Sequence, residues 1–189
     1  IAGRYHESDG FIENLTLGRD EPQEEDYTLR TTFEFDFSDT MMATLKLESS
    51  SFDVVGRNIE IGGEVAAAAG PFAGLTYSQI LVGGLGQDPS VLNNTIDGKR
   101  HSNGDFSNND QFEAVLTLDW DLENHTLQST TGISNFDYKD NCDCDFTGAD
   151  VFSLPIEENY DQFSQEIRLT SNGGETVDYI LGGFYQTSD

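Results

Sequence analysis

YDQFSQEIRLTSNGGETVDYILGGFYQTSD, residues 160–189, reads as a strand, a tight turn and a second strand. In QFSQEIRLT, Phe163, Ile167 and Leu169 alternate with Ser164, Glu166, Arg168 and Thr170. Such period-two alternation marks a strand with one apolar and one polar face. DYILGGFYQ is less regular: Ile180 and Phe184 share one face, and Tyr179, Leu181 and Tyr185 share the other. The five residues Ser-Asn-Gly-Gly-Glu between the two strands are turn formers.

The same pattern recurs upstream. YTLRTTFEFDF sets Tyr27, Leu29, Phe33, Phe35 and Phe37 against Thr28, Arg30, Thr32, Glu34 and Asp36. MMATLKLE sets Met41, Ala43, Leu45 and Leu47 against Thr44, Lys46 and Glu48. QFEAVLTLDW sets Phe112, Ala114, Leu116, Leu118 and Trp120 against Gln111, Glu113, Thr117 and Asp119. Residues 125–138 carry a weaker version, and helical periodicity is almost absent. The chain is therefore expected to be all-β, with about seven strands in an antiparallel meander.

The connections alternate between short and long. Ser38-Asp39-Thr40, Asp121-Leu122-Glu123-Asn124 and the turn after Thr170 are short, whereas the stretches near 8–25, 50–110 and 139–160 are long. In an outer-membrane barrel, odd and even connections lie on opposite sides of the membrane, with short periplasmic turns and long extracellular loops. Aromatics near strand ends, such as Tyr27, Phe37, Trp120 and Tyr185, fit interfacial girdles. A soluble β-sandwich can also gather long loops at one end, but strict alternation of loop length favours the barrel.

Composition narrows the partners. Thirty-five acidic against nine basic residues give a formal charge of −26. Such a chain repels phosphate, so no nucleic-acid partner is expected. Aromatic content of 11%, concentrated in the alternating runs, argues against disorder. No nucleophile elbow, phosphate loop or other catalytic motif occurs, and no enzymatic role is expected. His6, His101 and His125 are far apart with no ligand spacing.

KDNCDCDFTGAD is the most chemically suggestive stretch. Cys142 and Cys144 are the only cysteines, and in an oxidising extracellular loop a disulfide between them is favoured over free thiols or a thiolate metal site. Asp140, Asp143, Asp145 and Asp150 surround the pair. This oxygen-rich set suits Ca²⁺, although Leu154 at the twelfth position from Asp143 rules out an EF-hand. A solvated acidic loop is the favoured competing account. The apolar runs AAAAGPFAGL and ILVGGLG, in the loop near 50–110, are candidates for folding over the barrel mouth, packing on a partner or contacting a ligand.

The last thirty residues resemble a recurrent barrel segment of TonB-dependent outer-membrane receptors. In that family a strand of the type QxSQELRLxS is followed by a short turn and xYxxGxFYQ. The matching residues are Gln162, Phe163, Ser164, Gln165, Glu166, Arg168, Leu169, Ser171, Tyr179, Gly182, Gly183, Phe184, Tyr185 and Gln186. The stretch from Asp9 to Glu48, with GRDEP followed by a strand, a short turn and ATLKLE, is similar to strands preceding it there.

The resemblance implies a 22-stranded barrel around an N-terminal plug. It also implies import of a siderophore, cobalamin or glycan with energy passed on by the TonB system, in the bacterial outer membrane. The chain shows neither plug nor TonB box, and its strands are too few to close such a barrel. It is accordingly expected to be a partial barrel section, residues 1–189, in contact with outer-membrane lipid. The alternative is an excised piece whose open strand edges pair with other copies in an extracellular cross-β fibre. No cofactor beyond the Ca²⁺ just considered is expected.

Overall fold

The computed structural model of the chain describes residues 1–173 and 176–189. Gly174 and Glu175, in the expected last turn, lie outside the described residues. In chain order the strands are β1 (Ala2–Ser8), β2 (Ile12–Asn14), β3 (Arg19–Glu21), β4 (Gln23–Ser38), β5 (Met41–Val55), β6 (Lys99–Arg100), β7 (Phe106–Leu122), β8 (His125–Asp143), β9 (Ser153–Ser171) and β10 (Ile180–Ser188). The chain is all-β.

Seven strands form one sheet in the order β1-β4-β5-β7-β8-β9-β10, each antiparallel to its neighbour and the whole not closed into a barrel. Apart from the chain passing through the loops, this is a simple meander. The two-residue turns Asp39-Thr40 and Glu123-Asn124 join β4 to β5 and β7 to β8. They lie at one end of the sheet with the β9–β10 connection. The long connections 9–22, 56–105 and 144–152 lie at the other end.

The strands run further into the expected loops than alternation alone suggests. The expected loop near 139–160 shrinks to 144–152, because β8 continues to Asp143 and β9 starts at Ser153. The expected loop near 50–110 contracts to 56–105, and that near 8–25 to 9–22. Nor are these loops structureless. β2, β3 and β6 form a small second sheet, in which β2 is antiparallel to β3 and parallel to β6. A π-helical turn over Gln79–Gly84 and a 3-10 turn over Pro89–Val91 complete the loop cap.

The core is unusual. Among the described residues, only Ile12, Ala43, Leu81 and Ala149 are fully buried apolar side chains, and Ala43 alone of them lies in the large sheet. A sheet ordinarily buries its apolar face against a second layer. Among the described residues no second layer covers it, and Phe33, Phe35, Phe37, Trp120, Ile167 and Tyr185 remain exposed.

Candidate functional site

The register assembles the separate alternating runs into one surface. Leu45 lies between Phe33 and Leu116, and Ala43 between Phe35 and Leu118. Met41 faces Trp120, which faces Leu127, which faces Leu169, which faces Leu181. Ala114, Ile133 and Phe163 form another row. On β7 the band runs from Phe112 to Trp120, about 27 Å along the strand at the usual rise per residue. The opposite face is polar, with ion pairs such as Arg30–Glu48 at 2.7 Å and Arg168–Glu166.

Toward the loop end the two faces exchange character. The face that is apolar lower down carries Glu7, Glu25 and Asp53 as direct cross-strand neighbours, then Asp110 opposite Asp137. The opposite face acquires Phe52, Phe136, Tyr138 and Tyr160, all half-buried. The boundary between the two regimes falls near Gln111–Phe112 on β7.

The loop end is held by a buried chain of charges. Arg100, 2% exposed, donates from Nη2 to Asp105 Oδ2 at 2.7 Å and lies 3.5 Å from Glu21 Oε2. Glu21 is fully buried and also accepts from Asn14 Nδ2 and Arg19 Nε, each at 3.0 Å. Arg57 Nη2 contacts both oxygens of Asp140, at 2.7 and 2.5 Å, and Arg57 Nε lies 3.6 Å from Asp105. Asp105 Oδ1 then accepts from the backbone N–H of Asp143 at 2.6 Å. The network ties the loop 9–22 and the loop 56–105 to the upper ends of β7 and β8. Buried charges require such pairing, because an isolated one costs several kcal/mol of desolvation.

Two glycines make room for it. Gly10 and Gly56 both have φ of +88°, where an L side chain is strained. A Cβ at Gly10 would meet the Glu21 backbone, and one at Gly56 the Glu21 side chain.

Cys142 and Cys144 form a disulfide at the end of β8. The four aspartates around it do not converge. Asp140 is committed to Arg57. Asp143, buried, accepts from the backbone N–H of Asn103 at 2.6 Å. Asp145 accepts from Thr147 N–H and Oγ1 and from the N–H groups of Val151 and Phe152, so it ties the loop 144–152 to itself. Asp150 is exposed, and only Asp143 and Asp150 line a common polar cleft, with Asn103, Asn141 and Ser153. Among the described residues no group of three or more His, Cys, Asp or Glu side chains is placed to hold a metal ion.

Burial pushes the Asp143 carboxyl above its ordinary range, reinforced by the charges of Asp145 and Asp105 and opposed by the Asn103 N–H. Burial, and then the charges of Asp145 and Asp143, push the Tyr77 phenol up to about 12, and its hydroxyl donates to the Asp145 carbonyl at 2.7 Å. Glu64 is held down at about 2, chiefly by the Ser78 backbone N–H and then by its hydroxyl. Burial lowers His101, which contacts Thr16 Oγ1 at 2.9 Å. His6 pairs with Asp26 at 3.0 Å and His125 with Tyr179 at 2.6 Å, so the three histidines stay apart.

The apolar face was visible in the strand pattern, but the charge network was not. Arg100 and Asp105 are five residues apart, but Glu21, Arg57 and Asp140 lie far from them and from one another in sequence. The available signal was the scarcity of cations, since three of only nine, Arg19, Arg57 and Arg100, are spent on this network. No protein-family model, curated protein or solved structure matches the chain.

Proposed function

We propose that the chain forms part of the wall of a TonB-dependent outer-membrane receptor. The carrying observation is the apolar band, about 27 Å long along β7, that no described residue covers on one face of the antiparallel sheet. Barrel strands cross the membrane tilted, and the nine residues from Phe112 to Trp120 fall within the roughly 9–11 that a tilted strand needs to cross the hydrocarbon layer. The short turns at one end and the capped loops at the other support the same orientation, periplasmic and extracellular respectively. The tail motif from Gln162 to Gln186 supports the family. In this reading the wall contacts outer-membrane lipid, the loop end captures a scarce nutrient, and the TonB system drives its import without chemistry on the substrate.

An open sheet cannot sit in hydrocarbon with its edge N–H and C=O groups unpaired. β1 and β10 therefore require partner strands in the assembled protein. Fractionation of producing cells tests the reading. The protein should sediment with the outer membrane, resist carbonate and dissolve in detergent. Recovery as a soluble, monodisperse monomer overturns it.

The two unpaired edges also favour a second reading, self-association into an extracellular β-rich fibre. That reading expects detergent-insoluble material with a repeat of about 4.7–4.8 Å along the fibre. The −26 charge opposes such stacking.

A further inference from the structure

The exchange of character between the two faces leaves four aromatic rings where a polar surface is expected. Along β5 the polar face carries Thr44, Lys46, Glu48 and Ser50, and then Phe52. Phe52 is aligned with Asn109, and Asn109 with Tyr138. The two rings thus lie about 10 Å apart across two strand spacings. Two residues down β8, Phe136 stacks on Tyr160 with centroids 5.1 Å apart and planes 20° from parallel. The rings form a diagonal strip across β5, β7, β8 and β9.

Polar groups are interleaved with the rings. Ser107 Oγ donates to the Tyr138 hydroxyl at 3.2 Å, and the Tyr160 hydroxyl donates to Gln162 Oε1 at 2.7 Å. The Gln111 amide bonds Glu113 at 3.1 Å. Glu113 and Glu158, same-face neighbours of the rings on β7, β8 and β9, make that side of the rim acidic, while Asp26, opposite Phe52, is paired with Arg4 at 2.9 Å.

We propose that this strip binds a neutral saccharide. Flat aromatic faces carry partial negative charge and attract the weakly positive C–H face of a sugar ring. Amides, carboxylates and hydroxyls beside them match its hydroxyl groups. A purely apolar ligand would strand those polar groups without partners. An anionic ligand would face the acidic rim and the −26 chain. Strand spacing of roughly 4.8 Å sets the rings at intervals comparable to sugar units, so an oligosaccharide fits better than a monosaccharide. The assignment names a ligand class for the polar face and does not depend on lipid covering the other one.

The test is saturation-transfer NMR on the full chain in a non-glycosidic detergent, with neutral maltohexaose, xylohexaose and chitohexaose and anionic hexagalacturonate as probes. At least one neutral hexasaccharide should bind. Phe136→Leu with Tyr160→Leu, which keeps apolar bulk but removes the flat faces, should weaken it at least tenfold. Tyr160→Phe, which keeps the ring, should stay within threefold. If the double variant fails to fold by circular dichroism, Phe52→Leu on a different strand should still weaken binding at least threefold. Binding of none of the neutral probes, undiminished binding by the leucine variants, or a preference for hexagalacturonate overturns the assignment. A strip shielded by another protein segment, with no saccharide taken up, overturns it as well.

Discussion

Arg100 is the residue on which the loop cap depends. Its guanidinium is buried between Glu21 and Asp105, and its Nη1 also donates to the Arg57 carbonyl at 2.5 Å. Replacing it with methionine would fill the space but leave two buried carboxylates facing each other. The expected loss is about 3–5 kcal/mol of cap stability, read as earlier urea unfolding and rapid proteolysis within 56–105. Asp143 should behave in the opposite sense. Its carboxyl is raised by burial first and by Asp145 and Asp105 next, so the folded state holds its proton more tightly than the unfolded chain does. Its stabilising share is present below the unfolded carboxylate range and is lost as pH rises through the folded value. Asp143→Asn keeps an oxygen for the Asn103 N–H and removes the charge. The variant should unfold at higher urea than the parent at pH 7, and the difference should vanish toward pH 3. A uniform offset at all pH values would mean that charge is not the cause.

At the scale of the elements, β7 is a ruler for both faces. Leu116 sits in the middle of the apolar band, between Leu45 and Thr131, while Thr117 sits on the polar face between Thr44 and Thr130. If lipid covers the band, Leu116→Lys should cost roughly 2–4 kcal/mol and Thr117→Lys much less. Thermal unfolding in lipid discs measures both, and equal costs would count against lipid contact. The disulfide works on a shorter element. It closes a loop with one intervening residue, so the constraint on the unfolded chain is small. Cys142→Ser with Cys144→Ser should cost only about 1–2 kcal/mol, concentrated as protease sensitivity of 144–152, because Asp145 holds that loop independently through four hydrogen bonds.

The same elements explain what could be read from the sequence. β4, β5 and β7 were legible because one face is consistently apolar through the band. β8 was fainter, because Thr130, Thr131 and Gly132 place small or polar residues on both faces. The upper strand ends were illegible for a different reason. Past Phe112 the polarity switches faces, so a period-two pattern read in one phase breaks, and 106–111, 139–143 and 153–159 look like loop. The charge network was beyond any local rule, since Arg57 and Asp140 meet across 83 residues.

For the whole molecule, the decisive matter is what covers the apolar face. Seven is an odd number of strands, so β1 and β10 run in the same direction. Copies of the chain joined head to tail would meet in a parallel seam, while antiparallel joining needs a two-fold axis that turns the loop ends to opposite sides. Neither arrangement gives an all-antiparallel wall with every loop cap on one side, whereas further strands between β10 and β1 do. In such a wall, nitroxide labels on successive residues of β7 should alternate in collision rate with oxygen, which concentrates in hydrocarbon. Labels at 112, 114, 116 and 118 should be oxygen-accessible, and those at 113, 115 and 117 should not. At residues 106–111, toward the loops, the alternation should disappear from the oxygen data and water-soluble nickel complexes should reach Asp110 and Asn108, because there the outer face is acidic and the aromatic rings lie on the inner one. A fibre would make neighbouring copies shield both faces, and neither the alternation nor its end at residue 111 would be seen. The measurement therefore reads the orientation of the sheet, the height of its apolar band and the point at which its faces exchange character in one series of labels.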